Sequence, residues 1–327
     1  MKYAKGILAL VVLVALAIGI YFYWQHQARY PSTDDAYVQA NIITIAPEIT
    51  GRVTAVNVVE NQLVAAGDVL FTLDDTVFAN AVQQAEQQVQ SLQKTGEALA
   101  QQVVAATAQV TSATAAKQVA DEQAARTQTL LGQGNASQVQ GDDDTAAAVQ
   151  AAAALDSAQS GLAQANADVI ANQDDVVAAQ AQLNTAQLAL DHATVKAPVA
   201  GWIANLTLRP GSVVAAYQPQ FALVDAGDWW VDANFAETDL PRIVAGLPVS
   251  IEVDMLPGVT LTGKVASLGI GSGSSFSLLP AQNASSNWVK VTQRFAVRVT
   301  LDEPVQGLRV GASANATVDT TAAPVAP

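Results

Sequence analysis

The side chains able to do covalent or metal chemistry are few, and none of them is grouped. The chain has no cysteine, which removes thiol nucleophiles, disulfides and cysteine-type zinc sites. Its two histidines are His26 and His192. A histidine acts as base or ligand only with a nucleophile, carboxylate or further ligand held beside it. His26 follows a long apolar run, and His192 ends a helical stretch, where the helix dipole favours a cation. Ser272, Ser274 and Ser275 lack the spacing of a nucleophile elbow. Asp142, Asp143 and Asp144 lack the alternating ligands and closing glutamate of a calcium loop. The sequence therefore predicts no catalytic, metal or cofactor-binding residue and no enzyme. With 15 basic against 29 acidic residues the net charge is −14, which disfavours nucleic acid as a partner.

If the chain does not react, its work must lie in how it is built. Half of its residues are hydrophobic but only 6% are aromatic, so alanine carries much of the apolar count and close-packed helices are favoured. Lys2 and Lys5 precede an uncharged stretch whose apolar part runs from Ile7 to Trp24. That length nearly reaches the roughly 20 apolar residues of a spanning helix. Tyr21, Tyr23 and Trp24 sit where an interfacial belt would lie, and the lysines favour a cytoplasmic N-terminus. A cleaved signal peptide is the other reading; no small-x-small cleavage site follows the apolar run.

Two copies of a short β pattern flank a proline-free insertion. The first runs from Ala46-Pro47 through Gly51 and Gly67-Asp68 to Leu73-Asp74. The second runs from Ala197-Pro198 through Gly201 and Gly211 to Val224-Asp225. Each is too short to bury a core alone, so the halves are expected to complete one domain. In the insertion, Phe78, Val82, Ala85, Val89, Leu92, Gly96, Leu99, Val103, Ala106, Val110 and Ala113 follow heptad spacing, continuing through Lys117, Ala120, Ala124, Thr127 and Leu131. A second seam repeats Leu155, Leu162, Val169, Val176, Leu183 and Leu190 at every seventh residue, with Ala158, Ala165, Asn172, Ala179, Ala186 and Ala193 in the companion positions. Gly132 to Asn135 is turn chemistry, and Ser137 with Gln140 fits a capping box. An antiparallel hairpin with legs of about 55 residues would reach roughly 80 Å. Its outer faces, rich in Gln and Ala, suit either packing against further copies or a soluble spacer. After Asp225 come five strand-like runs, Trp229 to Phe235, Val249 to Asp254, Thr260 to Leu268, Trp288 to Leu301 and Arg309 to Asp319, with Glu237 to Val244 as one short helix. They predict a small closed or partly open barrel. The stretch from Gly269 to Asn287 is long for a hairpin loop and suits either a contact surface or a local tuck.

The two half-motifs resemble a biotinyl or lipoyl carrier fold split at its tip. The hairpin that would bear the modified lysine is replaced by the helical insertion, so carrier activity is not expected. Thr33-Asp34-Asp35-Ala36-Tyr37-Val38, Trp230 to Thr238, and Gly273 to Ala284 followed by Asn287-Trp288-Val289-Lys290-Val291 resemble the HlyD-type periplasmic membrane fusion (adaptor) proteins, in their EmrA-like branch. The resemblance implies an elongated α+β fold: an N-terminal transmembrane helix, a split lipoyl-like (barrel-sandwich hybrid) β domain, a long antiparallel α-helical coiled-coil hairpin and a C-terminal β-barrel domain. The boundaries expected are 1–5 cytoplasmic tail, 6–25 transmembrane anchor, 26–41 linker, 42–74 with 194–225 lipoyl-like domain, 75–193 hairpin with its tip near 131–141, 226–320 barrel and 321–327 flexible tail. It further implies an adaptor of a tripartite efflux pump, single-pass in the inner membrane with its bulk periplasmic. Its partners would be an inner-membrane major-facilitator transporter, a TolC-type outer-membrane channel and copies of itself in a ring or tube. The alternative is the adaptor of an ATP-driven type I protein secretion system. Arg126, Leu130 and Ser137 match the family's spacing for channel docking at the tip, and Phe276, Leu278, Leu279, Gln282 and Trp288 would lie near the transporter.

Overall fold

A computed structural model describes residues 2–276, 290–302 and 307–322, and within them all side chains except those of 2–12, 15, 22, 274 and 276. The chain opens with helix α1 (Lys2–Arg29) and passes directly into strand β1 (Ser32–Ile45). Strands β2 (Gly51–Val56), β3 (Leu63–Val64) and β4 (Val69–Leu73) follow, then the paired helices α2 (Thr76–Gly132) and α3 (Gln138–Asp191). Next come β5 (Thr194–Lys196), β6 (Gly201–Ala204), β7 (Val213–Val214), β8 (Phe221–Ala236), β9 (Pro248–Val253), β10 (Thr260–Ser272), β11 (Arg294–Leu301) and β12 (Ser313–Val318). The result is an elongated α+β molecule in which a helical hairpin leaves a β base.

The two half-motifs form that base together, by exchanging short strands. β3 of the first half pairs with β6 of the second (Leu63 with Trp202), and β7 of the second pairs with β2 of the first (Val213 with Arg52). One apolar core joins both halves: Ile45, Val53, Val64, Leu70, Phe71 and Leu73 pack with Ala193, Ile203, Val214, Phe221 and Leu223. The glycines divide into two kinds. Gly67 and Gly211 adopt φ of 89° and 90°, a left-handed conformation that favours glycine. Gly51 and Gly201 are instead sites of close approach: a Cβ on Gly201 would overlap the Val224 carbonyl, and one on Gly51 would fall 3.3 Å from Leu73 Cβ.

The hairpin follows its seams. Every α2 seam position from Phe78 to Leu131 is buried or half-buried while the other α2 residues are exposed. Val82, Val89 and Thr127 are the fully buried ones on this leg, and Gly141, Asn172 and Ala179 on the other. Gly96 faces Asn172; a Cβ there would lie 2.6 Å from Asn172 Oδ1, so the absence of a side chain at one seam position admits a polar one opposite.

Among the described residues the barrel has six antiparallel strands in the order β1-β12-β9-β10-β11-β8, closed by pairing of β1 with β8. Its core includes Val38, Val231, Phe235, Ile251, Val265, Val297 and Val318. Three expectations are corrected here. Residues 26–41 are not a linker: 26–29 end α1, and 32–41 lie in β1, the sixth strand of the barrel. The expected strand from Trp288 begins at Arg294 among the described residues, and the expected helix from Glu237 to Val244 is a single 3-10 turn at Leu240–Arg242. β1 and β8 also continue into the base, pairing from Ala36–Ala233 to Ile45–Phe221 across a bulge between Ala40 and Ile42. At its other end the barrel grips α1: Arg242 Nη1 donates to Ala28 O, and Thr320 Oγ1 donates to Arg29 O at 2.8 Å. Among the described residues no helix is long and apolar enough to cross a membrane. The side chains of 6–12, 15 and 22, on which much of the expected anchor rests, lie outside them.

Replacing Gly201 by Ala should destabilise the base by about 1–3 kcal/mol, the usual cost of overpacking a site that can relax only by moving backbone. The corresponding change at Gly67 would act through φ instead. Thermal unfolding of the two variants measures both effects, and an unchanged melting temperature for Gly201→Ala would contradict the close-approach account.

Candidate functional site

Without a reactive cluster, the surfaces with functional geometry are the two ends of the hairpin. At the root, each leg is tied to the other and to the base. Leu73 N donates to Ala193 O at 2.8 Å where the legs diverge. Asp74 Oδ1 accepts from Thr76 N at 3.1 Å and Thr76 Oγ1 at 2.7 Å, so Asp74 rather than the N-cap residue Asp75 satisfies the start of α2. These bonds hold the Asp74 carboxyl below the usual carboxylate range. His192 caps the end of α3, and its Nδ1 lies 3.0 Å from Glu48 Oε2. The pair borders a cleft of about 430 Å³ lined by Ile43, Leu188, Asp191, Val195 and Lys196. The lining holds no serine, and among the described residues no group of three or more metal-ligating side chains exists.

At the far end, α2 closes through Gln133 N to Leu130 O and Asn135 N to Leu130 O, with Gly134 at φ 75°. Ser137 Oγ accepts from Gln140 N at 3.2 Å. Only half of the expected capping box forms, because the Gln140 side chain turns to Asp144 instead. Gly141 is buried against Leu131, whose Cδ1 occupies the place a Cβ would take. Arg126 and Leu130, four residues apart and so on one helix face, are exposed, Leu130 at 44%. Arg126 Nη2 donates to Gln123 Oε1 at 3.2 Å. Ser137 is exposed at the start of the second leg. These three expected residues thus share the hairpin's free end. Phe276 ends a short 3-10 turn after β10 on the barrel, apart from the tip. Leu278, Leu279, Gln282 and Trp288 lie outside the described residues.

Sequence reasoning missed a polar clasp just behind the tip. Thr127 Oγ1, only 4% of Thr127 being exposed, donates to Asp144 Oδ2 at 2.6 Å. Gln123 Nε2 reaches the same oxygen at 3.4 Å and Gln140 Nε2 the other at 3.3 Å. The signal was available: Thr127 and Asp144 both fall on seam positions that elsewhere carry apolar residues. The Thr127 bond is the largest cause holding the Asp144 carboxyl below its ordinary range, with partial desolvation opposing.

No protein-family model matches the chain. It is 35% identical over 329 residues to the multidrug resistance protein MdtN of Escherichia coli (strain K12), covering 95% of each chain. It is 34% identical over 318 residues to the multidrug export protein EmrA of the same strain, covering 94% of this chain and 80% of that one. Among solved structures it is similar to MacA from Actinobacillus actinomycetemcomitans, with a TM-score of 0.58 at 19% identity over 89% of this chain and 78% of that one, a likeness of fold.

Because the folded state favours ionised Asp144, its contribution is complete above the ordinary carboxylate pKa and is lost as pH falls through the lower folded value. The protection of the amides from 128 to 141 against hydrogen exchange, taken relative to the intrinsic rate at each pH, should therefore fall below about pH 4 in the native chain. Asp144→Ala should show the lower protection at every pH. Equal protection in the two chains at pH 7 would show that the clasp does not hold the tip.

Proposed function

Since the chain belongs to the membrane fusion, or periplasmic adaptor, proteins of multidrug export, in their EmrA-like branch, we propose that it is the adaptor of a tripartite efflux pump. It is a noncatalytic part. In this reading α1 anchors it once in the inner membrane with the N-terminus cytoplasmic, and the remainder stands in the periplasm. The barrel, with Phe276 and the following stretch, lies against a major-facilitator transporter. The hairpin reaches a TolC-type channel in the outer membrane, and neighbouring copies line the path as a ring or tube.

The observation that carries this proposal is the hairpin: two helices of 57 and 54 residues, paired along an unbroken seam and rooted in a base that the barrel fastens to the end of α1. At 1.5 Å per residue the arm spans roughly 80 Å, a length that serves reach rather than enclosure. The names of the similar proteins, multidrug resistance and multidrug export, favour small toxic compounds as cargo over a secreted polypeptide.

The tip trio supplies the docking chemistry: a cation at Arg126, an apolar contact at Leu130 and a hydroxyl at Ser137. Arg126→Glu combined with Leu130→Asp should remove drug resistance in cells by at least about tenfold in inhibitory concentration, the scale of losing a few hot-spot contacts. Both residues are exposed, so helicity and membrane accumulation should stay unchanged. Full resistance with the doubly substituted tip would reject tip docking.

A further inference from the structure

The end of β10 turns an apolar side chain out and a polar one in. Its inward residues Leu261, Val265 and Leu268 pack on the barrel core. A step of four residues in β10, Leu268 to Ser272, is then matched by a step of two in β11, Val297 to Phe295. Through this bulge Ile270 becomes fully exposed, at 102%, while Ser272 is buried and hydrogen-bonded to Ser275 Oγ at 3.0 Å. Bulges commonly re-aim side chains in this way at functional edges. Val291, ahead of β11, is 67% exposed, and Val244, after the 3-10 turn, is 46% exposed. From Val265 to Ser275 no side chain is ionisable. This edge lies at the end of the barrel that α1 enters: Glu237 N donates to Gln293 O at 2.9 Å, Arg294 Nη1 donates to Thr33 Oγ1 at 3.0 Å, and Arg242 holds Ala28 O. Only Tyr30 and Pro31 separate α1 from β1. Tyr21, Tyr23 and Trp24 are exposed on α1, and Trp24 precedes Arg29 by five residues, about 8 Å of helical rise.

We propose that this rim is a second membrane contact: Ile270, with Val291 and Val244, settles into the interfacial layer of the bilayer that α1 spans. The inference rests on the reading of α1 as the anchor. With the α1 aromatics at headgroup level, the two-residue link leaves the barrel no room to stand off, because an interfacial contact is itself about 5–10 Å deep. The ionisable side chains nearest α1 and the rim are mixed in sign. Arg29, Arg242, Lys290 and Arg294 stand against Asp34, Asp35, Glu237, Asp239 and Asp319, with Arg242 paired to Asp239 and Arg294 to Asp35. Attraction to anionic headgroups is thereby offset, so apolar burial carries the contact and added salt should not release it. A single helix would let the barrel swivel about its anchor. A rim seated in the interface fixes the barrel's tilt, and with it the direction in which the hairpin points.

The absence of cysteine permits labelling at single sites. Full-length chains carrying Trp24→Cys, Ile270→Cys, Val291→Cys or, on the base, Val213→Cys receive an environment-sensitive fluorophore. Each is reconstituted without any transporter into phosphatidylcholine vesicles whose lipids bear a nitroxide just below the headgroup. Labels at Trp24, Ile270 and Val291 should be quenched equally at low and high salt, and the label at Val213 should not be quenched. Quenching at Trp24 without quenching at Ile270 and Val291 leaves the anchor standing and sinks the rim contact. No quenching at Trp24 sinks the anchor reading itself. Labels at Ile270 and Val291 that leave water only once the transporter is added would assign the rim to protein and overturn the proposal. In a chain labelled at Val244→Cys, the further changes Ile270→Glu and Val291→Glu should abolish quenching of that label, as charge enters an apolar contact. The Trp24 label should stay quenched in the same background. Both replaced side chains stand in solvent, so the barrel core is untouched, and quenching retained at Val244 would overturn the contact.

Discussion

Both legs of the hairpin begin and end in the same small core, and this closure governs the rest of the molecule. Leu73 closes the strand that leads into the first leg, Ala193 ends the second, and a backbone hydrogen bond joins them. A slip of either seam would therefore be felt in the packing of the base. Register is held in small increments, since most seam residues are only half-buried. Asn172 meets Gly96 midway along the seam, and Thr127 meets Asp144 near the tip. A polar residue on an apolar seam lowers stability but penalises the wrong pairing more. The arm is thus specified more by matching than by burial.

The same economy of joints extends downward. Base and barrel are not beads on a string, because β1 and β8 run through both as a paired ribbon. The ribbon bends at one place, where Asn41 on β1 faces the longer segment 225–228 on β8. Below it, Arg242 and Thr320 take up the last carbonyls of α1, so the helix enters the barrel capped by protein. Backbone hydrogen bonds therefore connect the N-terminal helix to the hairpin root without an unstructured span among the described residues. An adaptor built this way transmits position from one end to the other, and its reach is set by the arm.

The parts legible in the sequence were those with a short-range code. Heptad spacing located the seams residue by residue, since a 3.5-residue repeat can be read without knowing the partner. The repeated Gly and Pro signals located the base. What was hidden depended on distant partners. β1 reads as polar, with Thr33, Asp34, Asp35, Gln39 and Asn41, and its inward residues Ala36, Val38 and Ala40 are small. Only pairing with β8 and β12, far along the chain, makes it a strand. Thr33, Asp35, Asn234 and Arg294 form a hydrogen-bonded set across that seam, which spacing alone could not reveal. Likewise, sequence marks Gly51, Gly67, Gly201 and Gly211 alike, though two serve left-handed turns and two serve close approach. The tip residues were legible as positions, while the surface that docking would need lies outside this chain.

Length is the property on which the bridging account stands. Removing one heptad from each leg at matched positions keeps the seam in phase, keeps tip and root intact, and shortens the arm by about 10 Å. The decisive measurement is drug resistance of cells carrying such chains, with one and then two heptads removed per leg and membrane levels held equal. The account predicts that resistance collapses with the first or second matched deletion, although the shortened chains remain helical and membrane-bound. Undiminished resistance after two matched deletions would contradict it, because an arm that works at any length is not a bridge.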